Sequence, residues 1–153
     1  MRGRALAVAA AVAAAAAAGG AAAVLTAGPD AQPPVIDVAD RALVAEGRTV
    51  YAAHCASCHG ASLEGQPDWR TRGPDGLMPA PPHDVAGHTW HHPPEQLFGM
   101  VKHGLGPYAP PGYASAMPAY ASVLSDREIR AVLSYIASSW PEEVHRHRAE
   151  AFR

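Results

Sequence analysis

A small helical domain, three to four helices joined by Gly/Pro-rich loops, is what this 153-residue sequence predicts, and three observations carry the prediction. Ser125-Asp126-Arg127-Glu128 has the spacing of a capping box, and behind it Ile129, Val132, Leu133, Ile136 and Trp140 recur on one helical face. Upstream, Leu43, Gly47, Val50, Tyr51 and His54 form a second such face. Between the two, Gly60 to Pro94 has little periodicity, and Pro67, Pro74, Pro79, Pro81, Pro82, Pro93 and Pro94 rule out a long helix there.

Taken in order, residues 1–27 read as a targeting segment, either a cleaved signal peptide or an uncleaved membrane anchor. Arg2 and Arg4 precede an uncharged run, Leu6 to Ala27, that is mostly alanine. A run of about twenty residues is long enough to span a bilayer, but alanine makes this one weakly hydrophobic. Ala21-Ala22-Ala23 offers a small-residue cleavage site. The arginines ahead of the run place the remainder outside the cytoplasm in either case, which predicts a periplasmic protein, soluble or anchored to the inner membrane. Residues 28–37 form a linker containing Pro29, Pro33 and Pro34.

Residues 38–140 are the working domain. Its first helix, capped by Asp37 or Asp40, runs to about His54. Gly47 weakens that helix and makes sense where another backbone crosses closely. A shorter helix starts at Pro94 and ends near His103, with Glu95 in its first turn, Leu97, Phe98 and Val101 inward, and Gly104 as its stop. Residues 141–153 read as a charged C-terminal tail, a frayed helix with His145 and His147 in solvent. Beyond residue 30 the chain carries ten basic and thirteen acidic side chains, with Lys102 its single lysine. That balance offers nothing to nucleic acid.

Cys55-Ala56-Ser57-Cys58-His59 supplies the chemistry. It is the C-x-x-C-H spacing of covalent haem attachment, and it uses both cysteines of the chain. Two thiols at this spacing reach the two vinyl groups of one macrocycle, and the adjoining imidazole of His59 is held beneath the iron as the proximal axial ligand. A zinc site would want a second ligand pair, a redox dithiol would want a βαβ setting, and a structural disulfide is the remaining rival. The cofactor is therefore one haem c, held by Cys55 and Cys58. Because a domain of about a hundred residues buries only a modest core, the haem would supply much of its apolar centre.

A thioether in the sixth position would close the iron and raise its potential. Met1 belongs to the leader, and Met100 falls on the Leu97–Val101 helix, where it reads as packing or surface. Met78 and Met117 are each followed by Pro-Ala. Met117 is the choice for distal ligand, since its Gly/Pro loop directly precedes the capped final helix; Met78, 19 residues after His59, is the runner-up.

The order of helix, Cys55-Ala56-Ser57-Cys58-His59-Gly60, Pro-rich wrap, short helix, Met117-Pro118-Ala119-Tyr120 and capped helix resembles a bacterial class I c-type cytochrome with a single haem. The resemblance covers roughly Ala39 to Trp140 and includes Gly47, Tyr51 and Leu133-Ser134-Tyr135-Ile136. It implies an all-α, class I cytochrome c fold whose first and last helices cross, with Gly47 and Tyr51 meeting Val132 and Tyr135. It also implies an electron carrier rather than an enzyme, passing single electrons between an unidentified donor and acceptor. The departure from the family pattern is Pro81 to Pro94, with His83, His88, His91 and His92, and His103 beyond. A polar loop beside the haem is one reading, in which Trp90 and a histidine hydrogen-bond the propionates. A copper-handling site through the His83–His92 cluster is an alternative. A peroxidase-like haem enzyme is another, and it needs Met117 absent or displaceable. His54 reads as packing near the end of the first helix.

Overall fold

Asp40 starts the first helix, α1 (Arg41–His54): its carboxylate accepts from the N–H groups of Ala42 and Leu43, both at 3.0 Å. Asp37, the other candidate cap, instead holds the approach to the helix, accepting from the N–H groups of Ala39 and Asp40. The computed structural model describes residues 34–153, so the leader and most of the linker lie outside the described residues. Among these residues there are helices and loops and no strand, the all-α architecture that the sequence implies.

Leu43, Gly47, Val50 and Tyr51 of α1 are buried, as their spacing requires. They pack against α4 (Asp126–Ala137), which begins with the full capping box: Ser125 Oγ accepts from the Glu128 N–H, and the Glu128 carboxylate accepts from the Ser125 N–H. Ile129, Val132, Leu133 and Ile136 of α4 are almost wholly enclosed. Each such aliphatic side chain contributes about 1.5–3 kcal/mol of burial. Gly47 sits where the two helices touch. A Cβ there would run into the Ala131 carbonyl and lie 2.9 Å from Tyr135 Cβ, so the crossing admits only glycine. Tyr51 completes the contact with its ring 5.4 Å from that of Tyr135. The close backbone partner of Gly47 is thus Ala131, one residue before the Val132 that the resemblance implied.

After α1 the chain makes a single further turn, α2 (Ala56–His59), and then wraps without regular structure until a short 3₁₀ turn at Thr89–His91. Helix α3 (Pro94–His103) follows with Leu97 buried and Gly104 in the left-handed region at φ 76° as its stop. Tyr120 and Ala121 then hydrogen-bond the last carbonyls of α3, those of Val101 and Lys102.

The segment after Pro141 departs from the expected frayed tail. It is a ten-residue helix, α5 (Glu142–Ala151), with Val144 and Arg148 buried. The Arg148 guanidinium donates to the carbonyls of Trp90 and His92 and lies over the rings of Trp140 and Phe152. Burial lowers its pKa from the usual arginine value. One compact unit therefore runs on through Arg153. The docking face is a single valine and the stem of an arginine, too narrow a stripe to register as amphipathic.

Candidate functional site

The site begins where α1 ends. Cys55 N–H still donates to the Tyr51 carbonyl at 2.9 Å, so the first thiol leaves from the last turn of α1. Its carbonyl accepts from the N–H groups of Cys58 and His59, which curls the second thiol and the imidazole into one turn. Both cysteines are unpaired; Cys55 is half-buried and Cys58 exposed. Burial, with a smaller effect from the neighbouring Cys58, pushes the Cys55 thiol up to about 11.

His59 is buried at 8% exposure, and its Nδ1 lies 2.8 Å from the Pro81 carbonyl. A carbonyl only accepts, so Nδ1 carries the proton and donates, which leaves the Nε2 lone pair for a metal. Burial holds the imidazole pKa below its ordinary value and keeps the ring neutral, as a ligand must be. The turn behind it is clamped: Tyr51 Oη donates to the Gly60 carbonyl at 2.8 Å, and Gly65 N–H donates to the His59 carbonyl at 2.7 Å. Gly60 itself has φ 83°, and a Cβ there would meet the Glu64 carboxylate. Two free thiols and an imidazole with one nitrogen tied and one open are the donor set that a covalent haem needs.

The two methionine loops sit differently. Met117-Pro118-Ala119-Tyr120 is fastened to the thiol-bearing end of α1, because Tyr120 Oη donates to the His54 carbonyl at 2.7 Å. Burial and the nearby thiols of Cys55 and Cys58 raise the Tyr120 pKa. His54 packs edge-on against the same ring, at 6.2 Å. Met78 lies in a loop closed by Gln66, whose N–H donates to the Ala80 carbonyl while its Oε1 accepts from the Ala80 N–H. Arg72 of this loop reaches over the Tyr113 ring, 5.3 Å away. Both methionines are half-buried.

The histidines of the Pro-rich segment do not converge. His83 turns inward and stacks on His59, ring centroids 4.0 Å apart at 21°. His88 stacks on Trp69 and approaches His92 edge-on, and His91 lies flat on Trp90. Among the described residues no three His, Cys, Asp or Glu side chains gather so as to hold a metal ion. The copper-site alternative thus lacks a ligand set in this arrangement. Trp90 directs its indole N–H to the Val85 carbonyl, and Trp140 directs its own to that of His83. Two participants escaped the sequence reading: the Pro81 carbonyl, which counted only as a helix breaker, and His83, which counted as one of a cluster. Nothing in a proline-flanked stretch without a period sets either apart.

Comparison with known proteins fits this geometry. The family described as cytochrome C oxidase, cbb3-type, subunit III matches residues 42–136. A cbb3-type cytochrome c oxidase subunit CcoP of Azospirillum sp. (strain B510) is 36% identical over 98 residues, which is 64% of this chain and 29% of that protein. A cytochrome c-555 of Prosthecochloris aestuarii is 37% identical over 67 residues, 40% of this chain and 68% of that protein. The chain spans less than a third of the first relative and about two thirds of the second. No solved structure matches.

Proposed function

Because the chain belongs to the cbb3-type cytochrome c oxidase subunit III family, and is thereby a c-type cytochrome with covalently bound haem c, we propose that it is an exported single-electron carrier with a His59/Met117-ligated iron. The observation that carries this reading is the His59 ring, with Nδ1 committed to Pro81 and Nε2 open, one turn from two unpaired thiols. In this reading Cys55 and Cys58 form the two thioether links, and Met117 is the distal ligand, with Met78 as runner-up. When bound, the haem supplies a one-electron Fe(III)/Fe(II) couple. The chain's part is to hold the ligands still. Pro81 fixes the His59 tautomer, Tyr51 and Gly65 hold the turn that carries it, and Tyr120 ties the Met117 loop to the end of α1. Rigid ligands keep the reorganisation accompanying each electron small.

Its partners, in this reading, are redox proteins, with a terminal oxidase the first acceptor to test, since one relative bears the name of an oxidase subunit. Residues 1–27 serve as signal peptide or anchor of a periplasmic protein. No described helix is long and apolar enough to cross a membrane. The experiment is direct. Acid-denatured protein retains its haem through organic extraction, and replacing both Cys55 and Cys58 with Ala abolishes that retention. Haem that extracts freely from the native protein overturns the assignment.

A further inference from the structure

Two restraints act on the His59 ring, and the first is the hydrogen bond to Pro81. The Pro81 carbonyl holds Nδ1 at one point of the ring's edge, which leaves rotation about that point unopposed. The second is the His83 imidazole, lying nearly parallel to His59 at a ring separation of 4.0 Å. His83 is itself anchored. Its Nδ1 is 2.8 Å from Thr89 Oγ1, and Thr89 is buried at 8% exposure. Its backbone is held at both ends, the N–H on the Leu63 carbonyl at 2.8 Å and the carbonyl accepting the Trp140 indole N–H at 2.9 Å. The Tyr51 ring lies at 73° to it, 6.3 Å away. A flat ring braced on so many sides is a fixed wall against one face of its neighbour.

We propose that His83 is a positioning residue, whose stacked imidazole, held by Thr89, fixes the plane in which His59 presents Nε2. This deepens the carrier reading and rests on His59 being the proximal ligand. The plane of an axial imidazole decides which iron d orbital its π system overlaps, so a single held plane gives a single electronic state. A ring free to rotate gives a distribution. The wall also keeps water from one face of the ligand, and a drier site favours the less charged ferrous state.

The test compares the haem-loaded full-length protein with His83→Ala, His83→Phe and Thr89→Val. Ferric electron paramagnetic resonance reads the spread of ligand planes, and redox titration reads the potential. The native protein gives one sharp set of low-spin g values. His83→Ala broadens or splits the largest g value and lowers the potential. His83→Phe, which keeps a flat ring, restores the sharp signal, and Thr89→Val broadens it less than His83→Ala does. Should His83→Ala fail to assemble, a sharp His83→Phe spectrum beside a broadened Thr89→Val spectrum carries the same conclusion. Any other pattern, including native spectra in all variants, overturns the role of His83. The underlying reading fails by a different sign: extractable haem, or a native spectrum lacking a low-spin histidine-ligated signal, removes His59 as ligand whatever the variants do.

Discussion

Pro81 does for His59 what no side chain in the sequence advertises. Its carbonyl sets the imidazole tautomer at a distance of 2.8 Å, and any residue could have offered a carbonyl. The motif residues Cys55, Cys58 and His59 were legible because three scarce types coincide at one spacing. The acceptor behind them was not, since main-chain groups leave no trace in side-chain identity. Met117 lies between these extremes, visible as a methionine in the Gly/Pro loop ahead of α4 but rivalled by Met78. The two separate experimentally. Met117→Ala should remove the near-infrared sulfur-to-iron band of the ferric protein, lower the potential and open the ferrous iron to carbon monoxide. Met78→Ala should leave all three unchanged, and the reverse result would exchange the two assignments.

Helices α1, α3 and α4 begin and end close to where their caps and prolines place them, because each carries several agreeing signals. For α4 these are a reciprocal capping box and a broad apolar face. Helix α5 carried only Pro141 and charge, and its docking runs through an arginine that reads as solvent-facing until its acceptors are seen. The crossing of α1 and α4 gives the sharpest element-scale expectation. Gly47→Val places a side chain against the Ala131 carbonyl, so the helices must separate. Overpacking of this kind costs about 1–3 kcal/mol, and denaturant unfolding of the haem-loaded protein should show at least that loss. A neutral substitution would mean that the two helices do not meet there.

For the whole molecule, the C-terminal helix and the histidine-rich wrap are one structure. Arg148→Ala leaves the Trp90 and His92 carbonyls without their charged donor. Hydrogen bonds to charged groups contribute about 1.5–3 kcal/mol each, so a loss on that order in unfolding free energy is expected. Faster proteolysis within 83–92 should accompany it, and Arg148→Lys should rescue only part, having a point charge in place of a fork. The other end of the chain is tested by N-terminal sequencing with membrane fractionation. A soluble chain beginning between Val24 and Gln32 shows release; an intact Met1 in a salt-resistant membrane fraction shows anchoring.

Arg148 also imposes a chronology. Synthesis delivers a chain from its N-terminus, so the thiols of Cys55 and Cys58 emerge well before the arginine that secures the segment carrying Trp90 and His92. Until α5 arrives, the Trp90 and His92 carbonyls stand without their charged donor. Helix α5 then closes as a latch over a wrap already laid down.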